Sequence, residues 1–227
     1  MPKKQTILVF APHPDDDVLG CGGTLIKWAR QGKSITVVYL TSGEAGSIHF
    51  SKEELLEKRE EEAHRAIRIM GINDCIFLHQ PDGGIEVCTE VLDAVVELLR
   101  QKRPEVVFLP HREDVHRDHL KTHELVVEAC RRAAGPWHQQ CASSSWEVNW
   151  ILAYEVWAPL REIHLVEDIS EFMKIKINAL REHQSQLSDI AYDEAISGLN
   201  RYRGITSGRG QYCECFQIIK ARMDFQG

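Results

Sequence analysis

Five short apolar runs punctuate the chain: Ile7–Ala11, Ile35–Thr41, Cys75–Leu78, Val106–Pro110 and Ile151–Trp157. They are rich in β-branched and aromatic residues and too short for helices, so each is predicted as a strand. Between them, apolar residues recur at helical spacing. Asp17–Arg30 opens on acidic residues and carries Leu19, Thr24, Leu25 and Trp28. Ser51-Lys52-Glu53-Glu54 has the form of a capping box, opening a charged helix that runs to Met70 and stops at Gly71. Thr89–Lys102 places Val91, Leu92, Val95, Val96, Leu98 and Leu99 mostly on one side before Pro104. His119–Ala133 follows, and Ser170–Leu187 is predicted as a further amphipathic helix. The order β-α-β-α-β-α-β-α-β implies an α/β fold, a mostly parallel sheet with helices on both faces.

A Rossmann-like sheet of this kind binds ligands beyond the carboxyl ends of its strands. The polar clusters fall there: His13–Asp17 after the first strand, Thr41–Gly46 after the second, Gln80–Gly84 after the third and His111–His119 after the fourth. Gly135–Val148 is an insert before the fifth strand, a lid or a plain loop; its composition does not decide. No repeat or linker splits the 227 residues, so 1–227 reads as one domain. A net charge of −7 argues against a nucleic-acid partner. Lys3-Lys4 precedes an apolar run too short for a signal h-region or a membrane span, and no later run is long enough either. A cytoplasmic protein with no membrane partner is expected. The seven cysteines follow no framework spacing and read as free thiols of a reducing compartment. Cys213-Glu214-Cys215 lacks the second pair that a zinc knuckle needs and reads as strand.

The chemistry concentrates in two places. In Ala11-Pro12-His13-Pro14-Asp15-Asp16-Asp17, three adjacent carboxylates repel one another and cannot share a core unless a cation stands beside them. His13 offers an imidazole and Asp16 a hard oxygen, a pairing that suits Zn²⁺. Alone, this stretch reads equally well as a polar cap on the following helix. The second stretch, His111 to His119, holds three histidines and three acids in nine residues at the same sheet edge. A solvated charged loop does not explain why both clusters stand at strand ends, so a metal site is the better reading of the two together.

HPDD after the first strand, with His116-Arg117-Asp118-His119 after the fourth, resembles the LmbE/PIG-L family of zinc-dependent de-N-acetylases. The likeness runs from about Ile7 to Phe216. It includes Gly20-Cys21-Gly22-Gly23-Thr24, Thr41–Gly46, Pro81-Asp82-Gly83-Gly84 and Tyr154-Glu155-Val156-Trp157, the last as in small bacterial members. The resemblance implies that His13, Asp16 and His119 are the metal ligands with water in an open position, the pattern of a catalytic zinc site. It implies Asp15 as general base, His116 as oxyanion stabiliser and Asp118 as the residue that orients His116. Zinc would polarise the amide carbonyl and bring its water's pKa toward neutrality, and a protonated imidazole could face the oxyanion. Fe²⁺, Co²⁺ or Mn²⁺ would also suit such ligands. Two departures stand out: Arg117 where the family usually has proline, and Asp17 where many members have glutamate. Arg117 could tune His116, meet an anionic substrate group, or point into solvent.

On the substrate side, Arg59 resembles a family position that reaches the sugar, or is a surface arginine in an i,i+4 charge network. Asp82 resembles a residue that binds sugar hydroxyls, or belongs to a plain turn with Gly83-Gly84; Glu44 has similar standing. Arg201–Tyr212 resembles the family's late loop beside the site, or is a mobile surface loop. His64, His123 and His183 read as helix-surface residues. The function expected is removal of an N-acetyl group from an amino sugar or small N-acetylglucosamine glycoside, by a trimer or hexamer if the relatives are a guide. Two alternatives stay open: a Rossmann-type nucleotide or dinucleotide binder, although Gly20-Cys21-Gly22-Gly23 is not G-x-G-x-x-G, and a metal-binding homologue without catalysis.

Overall fold

Along β1 (Thr6–Ala11), alternate side chains leave for opposite faces of the sheet. Ile7, Val9 and Ala11 enter one apolar cluster, Leu8 and Phe10 another. A strand buried on both faces is what helices on both sides of a parallel sheet require. The computed structural model describes residues 5–188 and 190–222; the Lys3-Lys4 pair lies outside them. β2 (Ser34–Tyr39), β3 (Asp74–Phe77), β4 (Val106–Pro110) and β5 (Trp150–Tyr154) run parallel with β1, in the order β3-β2-β1-β4-β5. β7 (Cys213–Ala221) then pairs antiparallel with β5, and β6 (Leu165–Asp168) antiparallel with β7. The Rossmann-like, mostly parallel sheet is thus present, extended by an antiparallel edge.

α1 (Asp16–Arg30), α2 (Lys52–Ile69) and α5 (Met173–Leu180) cover one face. α3 (Thr89–Lys102) and α4 (Arg117–Ala133) cover the other. α2 opens as its sequence predicts: Ser51 Oγ accepts the Glu54 N–H while the Glu54 carboxylate accepts that of Ser51. No helix among the described residues is long and apolar enough to cross a membrane.

Two expectations change, and one alternative left open is decided. Ser170–Leu187 is not one helix: α5 ends at Leu180 and a short α6 (Gln184–Leu187) follows a turn through His183. The tail read as a loop is helical through Ser207, in α7 (Tyr192–Ser207), where Arg203 makes a buried bidentate pair with Glu155 at 3.0 and 2.7 Å. The 135–148 insert is no lid. It follows α4 at the end of the sheet opposite the strand C-termini, and Arg100 binds the carbonyls of Gly135, Trp137 and His138. Trp146 Nε1 donates to Pro104 O at 2.8 Å, beside the start of β4.

Two of the three glycines of α1, Gly20 and Gly23, are explained by close approach. A Cβ at Gly20 would lie 2.2 Å from the Tyr154 ring, and one at Gly23 2.7 Å from Ile169 Cβ. Tyr154 cannot swing aside, since its hydroxyl donates to Phe10 O at 2.8 Å within the core. Gly20→Ala therefore overpacks, at a cost of about 1–3 kcal/mol or more, against a helix-propensity gain of about 1 kcal/mol. A lower denaturant midpoint is the expected result; an unchanged or higher midpoint would refute the packing argument.

Behind α1, Glu214 of β7 accepts the Gly23 and Thr24 N–H groups, both at 2.8 Å. The fully buried Lys176 of α5 donates to Glu214, Asn200 Oδ1 and Leu19 O at 2.7, 2.9 and 2.8 Å. Cys213 and Cys215 are strand residues flanking Glu214, with free thiols.

Candidate active site

The strand order reverses between β1 and β4, and an open α/β sheet forms its ligand crevice at such a point. β1 delivers Pro12–Asp17 to the crevice and β4 delivers His111–His119. Asp16 Oδ2 lies 3.1 Å from His13 Nδ1 and 3.2 Å from His119 Nε2, and accepts the His13 N–H at 2.9 Å. Each imidazole has a carboxylate at its other nitrogen. His13 Nε2 faces Asp118 Oδ2 and Asp82 Oδ1, both at 3.2 Å, and His119 Nδ1 faces Asp114 Oδ2 at 3.4 Å. Carboxylates in this position fix the tautomer and raise the basicity of metal-binding histidines.

These donors fit a divalent ion. Ligand atoms about 2.0–2.1 Å from a tetrahedral ion are about 3.3–3.4 Å apart, close to the spacings around Asp16 Oδ2. His119 is fully buried, yet neither ring nitrogen makes a hydrogen bond among the described residues. A cation would complete it. In the protein alone, burial pulls His119 down but Asp16 and Asp114 outweigh it and hold it at about 9. Burial likewise opposes protonation of His13, and Asp118, Asp16 and Asp82 lift it well above the ordinary value. Asp16, against its burial, is held far below the usual carboxylate range by both imidazoles. The cluster thus carries strong negative potential where a cation would stand. Two other sets bring one ligand atom each within 4.8 Å of the others: the nitrogens of His13, His116 and His119, and His13 with the Asp82 and Asp118 carboxylates.

The three carboxylates do share a core: Asp15, Asp16 and Asp17 are 6%, 1% and 0% exposed. At a helix N-terminus successive side chains diverge, so Asp16 meets the histidines and Asp15 meets Arg59. Burial lifts the Asp17 carboxyl to about 7, against the pull of the Tyr39 hydroxyl. Asp15 sits at φ 125°, a backbone region costly for a non-glycine residue. Arg59 clamps it there. Its Nη2 donates to Pro14 O at 2.7 Å and approaches Asp15 Oδ2 at 3.4 Å, while Nη1 donates to Gly43 O at 3.0 Å. Burial pushes the Asp15 carboxyl up to about 7, with Arg59 pulling the other way. Arg59 is 3% exposed, so the surface-network reading of it fails.

His116 caps α4, its Nδ1 accepting the Asp118 N–H at 3.3 Å, which leaves the proton on Nε2. Burial, with His13 and His119 nearby, lowers its pKa against the pull of Asp118. In the protein alone, that lowering and the Asp118 N–H on Nδ1 both favour the neutral imidazole with its Nε2–H toward the cleft. The Asp118 carboxylate accepts Gly83 N–H at 2.7 Å and Ile85 N–H at 3.3 Å and faces His13. It reaches His116 through its backbone N–H and its charge.

A cleft of about 260 Å³ opens over these groups, lined by His13, Asp15, Asp16, Gly46, Arg59, Asp82, His116, Trp157, Gln186 and Tyr192. Asp82 accepts the Ala45 N–H at 2.9 Å. Against its burial, His13 and that N–H hold it down at about 2. Glu44 stands one step back, accepting the Asp82 N–H at 2.9 Å and so shaping the turn. Arg117 is exposed. The sequence reading missed Asp114, Trp157, Tyr192 and Gln186. It also misplaced His183, which is fully buried and driven down to about 3 by burial and by Arg59. His64 is exposed and His123 half-buried. The dinucleotide alternative fails here, because buried carboxylates fill the α1 N-terminus where a pyrophosphate would need bare N–H groups.

A Rossmann-like sheet with a His/Asp cluster at its switch point and a carboxylate and an imidazole facing one cleft is the architecture of a metal-assisted hydrolase. A profile of the PIG-L family, GlcNAc-PI de-N-acetylase, matches residues 8–130. The chain belongs to that family. It is 29% identical over 222 residues to a diacetylchitobiose deacetylase of Thermococcus kodakarensis, covering 94% of this chain and 82% of the relative. The N,N'-diacetylchitobiose deacetylase of Pyrococcus horikoshii, solved with an inhibitor, superposes with a TM-score of 0.87 at 26% identity, over 95% of this chain and 84% of that one. A 4-carboxy-2-hydroxymuconate hydratase of Pseudomonas putida superposes with a TM-score of 0.82 at 23% identity, over 98% of this chain and 99% of that one. At that identity the likeness speaks for the fold alone.

Proposed function

We propose that this protein is a zinc-dependent de-N-acetylase that hydrolyses the acetamide of an N-acetylglucosamine unit in a small glycoside. The observation that carries the reading is Asp16 Oδ2 placed between His13 and His119, with Asp15 and His116 lining the same cleft. His13, Asp16 and His119 would hold the ion. Bound there, a divalent ion supplies Lewis-acid polarisation of the amide carbonyl and a more acidic water. Asp15 takes the proton from the attacking water and is placed to return it to the departing amine. His116 offers its Nε2–H to the oxygen on which charge develops. Asp118, Asp82 and Asp114 keep the two metal-facing imidazoles in register. Arg59 holds Asp15 and, with Asp82, walls the sugar end of the cleft; Glu44 supports Asp82. The net change is one C–N bond broken and one C–O bond made, giving acetate and a free amino sugar. A trimeric or hexameric assembly rests on the resemblance to relatives.

The test is a panel of N-acetylated amino sugars and their glycosides, assayed for acetate and free amine. Activity should vanish with chelator and return with Zn²⁺, with Fe²⁺, Co²⁺ and Mn²⁺ as comparisons. Stoichiometric ion without acetate from any substrate would leave the non-catalytic metal-binding homologue standing.

A further inference from the structure

The cleft does not end at the reacting groups. Gly46, Gln186 and Tyr192 also line a second hollow of about 440 Å³, whose outer wall includes Ile48 and Ile190. Ile48 is 93% exposed and Ile190 51% exposed, and neither belongs to the core clusters. Single exposed aliphatic side chains need no explanation, but two in the wall of one hollow opening off a site do. At the boundary, the Trp157 ring stands edge-on to that of Tyr192, with centroids 5.2 Å apart. The passage depends on a glycine: a Cβ at Gly46 would lie 2.7 Å from Arg59 Nη1 and 3.0 Å from Gln186 Oε1.

The cavity therefore changes character along its length. Its closed end presents Asp15, Asp16 and Asp82, suited to a hydroxylated ring and its acetamide. Its open end presents Ile48, Ile190 and the Tyr192 ring together with Ser47, His49 and Gln186, and the two isoleucines give it an apolar wall that a sugar hydroxyl would not use. A group reaching the open end while the acetamide reaches the closed end is the one attached to the sugar. We infer that the second hollow is a subsite for an apolar aglycone, an aryl or alkyl group linked to the N-acetylated sugar. The inference rests on the deacetylase reading above.

The experiment uses the metal-loaded protein and the methyl and phenyl glycosides of N-acetylglucosamine, in both anomers. Removing roughly 50 Å² of phenyl surface from water predicts a preference of about tenfold in kcat/KM for phenyl over methyl in the preferred anomer. The double variant Ile48→Ser, Ile190→Ser should bring that ratio close to one. The methyl glycoside should be turned over within about twofold of wild type, since neither isoleucine touches the reacting groups. No phenyl preference in the wild type, or a preference intact in the variant, overturns the proposal. If neither glycoside releases acetate, the deacetylase reading fails, and calorimetric binding of the same pair judges the hollow alone. Tighter phenyl binding in the wild type that the variant loses upholds it; equal affinities overturn it. Dissociation of an oligomer by the double variant, read by sedimentation, would show that these residues meet another copy, and also overturns it.

Discussion

His119→Ala is expected to strip the protein of its divalent ion and its activity together, while His116→Ala keeps the ion and loses turnover. His119 is fully buried, faces Asp16 at 3.2 Å and is backed by Asp114. Its removal leaves two of three ligands and an unpaired buried carboxylate. His116 is half-buried, and its Nδ1 is taken by the Asp118 N–H. Only its Nε2–H is free to work, and a donor that matters in the transition state shows in kcat more than in KM. Loss of one such donor lowers kcat by about 10²–10³. Metal content by elemental analysis, beside initial rates, separates the roles. Equal loss of metal in both variants would make His116 a ligand, as the second nitrogen cluster allows, and would overturn this division.

Asp15→Asn should keep metal and fold yet lower kcat by about 10²–10⁴, the usual contribution of a positioned base. The substitution suits the site's backbone, because Asn is among the few residues that tolerate positive φ and Asp15 stands at 125°. Asn keeps an oxygen for Arg59 but cannot take a proton from water. Unchanged metal content and thermal midpoint, with the rate lost, identifies the base. A near-normal kcat removes Asp15 from the mechanism.

Much of this was legible where the pattern is local. α3 spans Thr89–Lys102 as its spacing predicts, and the α2 capping box is realised atom for atom. The illegible parts depend on partners distant in sequence. β6 is four residues long and mostly half-exposed, so it carries no apolar run to betray it, and it exists because β7 pairs with it. α7 contains Gly198 and Gly204, poor helix formers, and is held by Arg203 on Glu155 and Asn200 on Cys213 O. Arg59 was findable. It falls in the buried stripe of α2, four residues after Leu55 and four before Ala63, and a charged residue there announces a buried partner. His183 gave no such sign, since the turn that buries it interrupts a stretch with helical periodicity. The division of Asp118 between His13 and the 83–85 turn needed the third strand's loop brought beside the fourth's.

The Lys176–Glu214 contact bears on how the protein comes into being. Every proposed ligand precedes residue 120, and the family profile ends at 130. Yet the helix carrying Asp16 is fastened along its flank by Glu214, 191 residues beyond Gly23. Until β7 is made, Lys176 lacks its counter-charge and α1 lacks two acceptors, and an unpaired buried charge costs about 3–5 kcal/mol. Chains emerge N-terminus first, and contacts of such long separation form late. On the ribosome, the residues that would seize the ion are exposed long before the scaffold that fixes their spacing exists. Capture of that ion in its final geometry would therefore come late in folding, and the segment 8–130, made alone, would carry the proposed donor atoms without β7 to brace them.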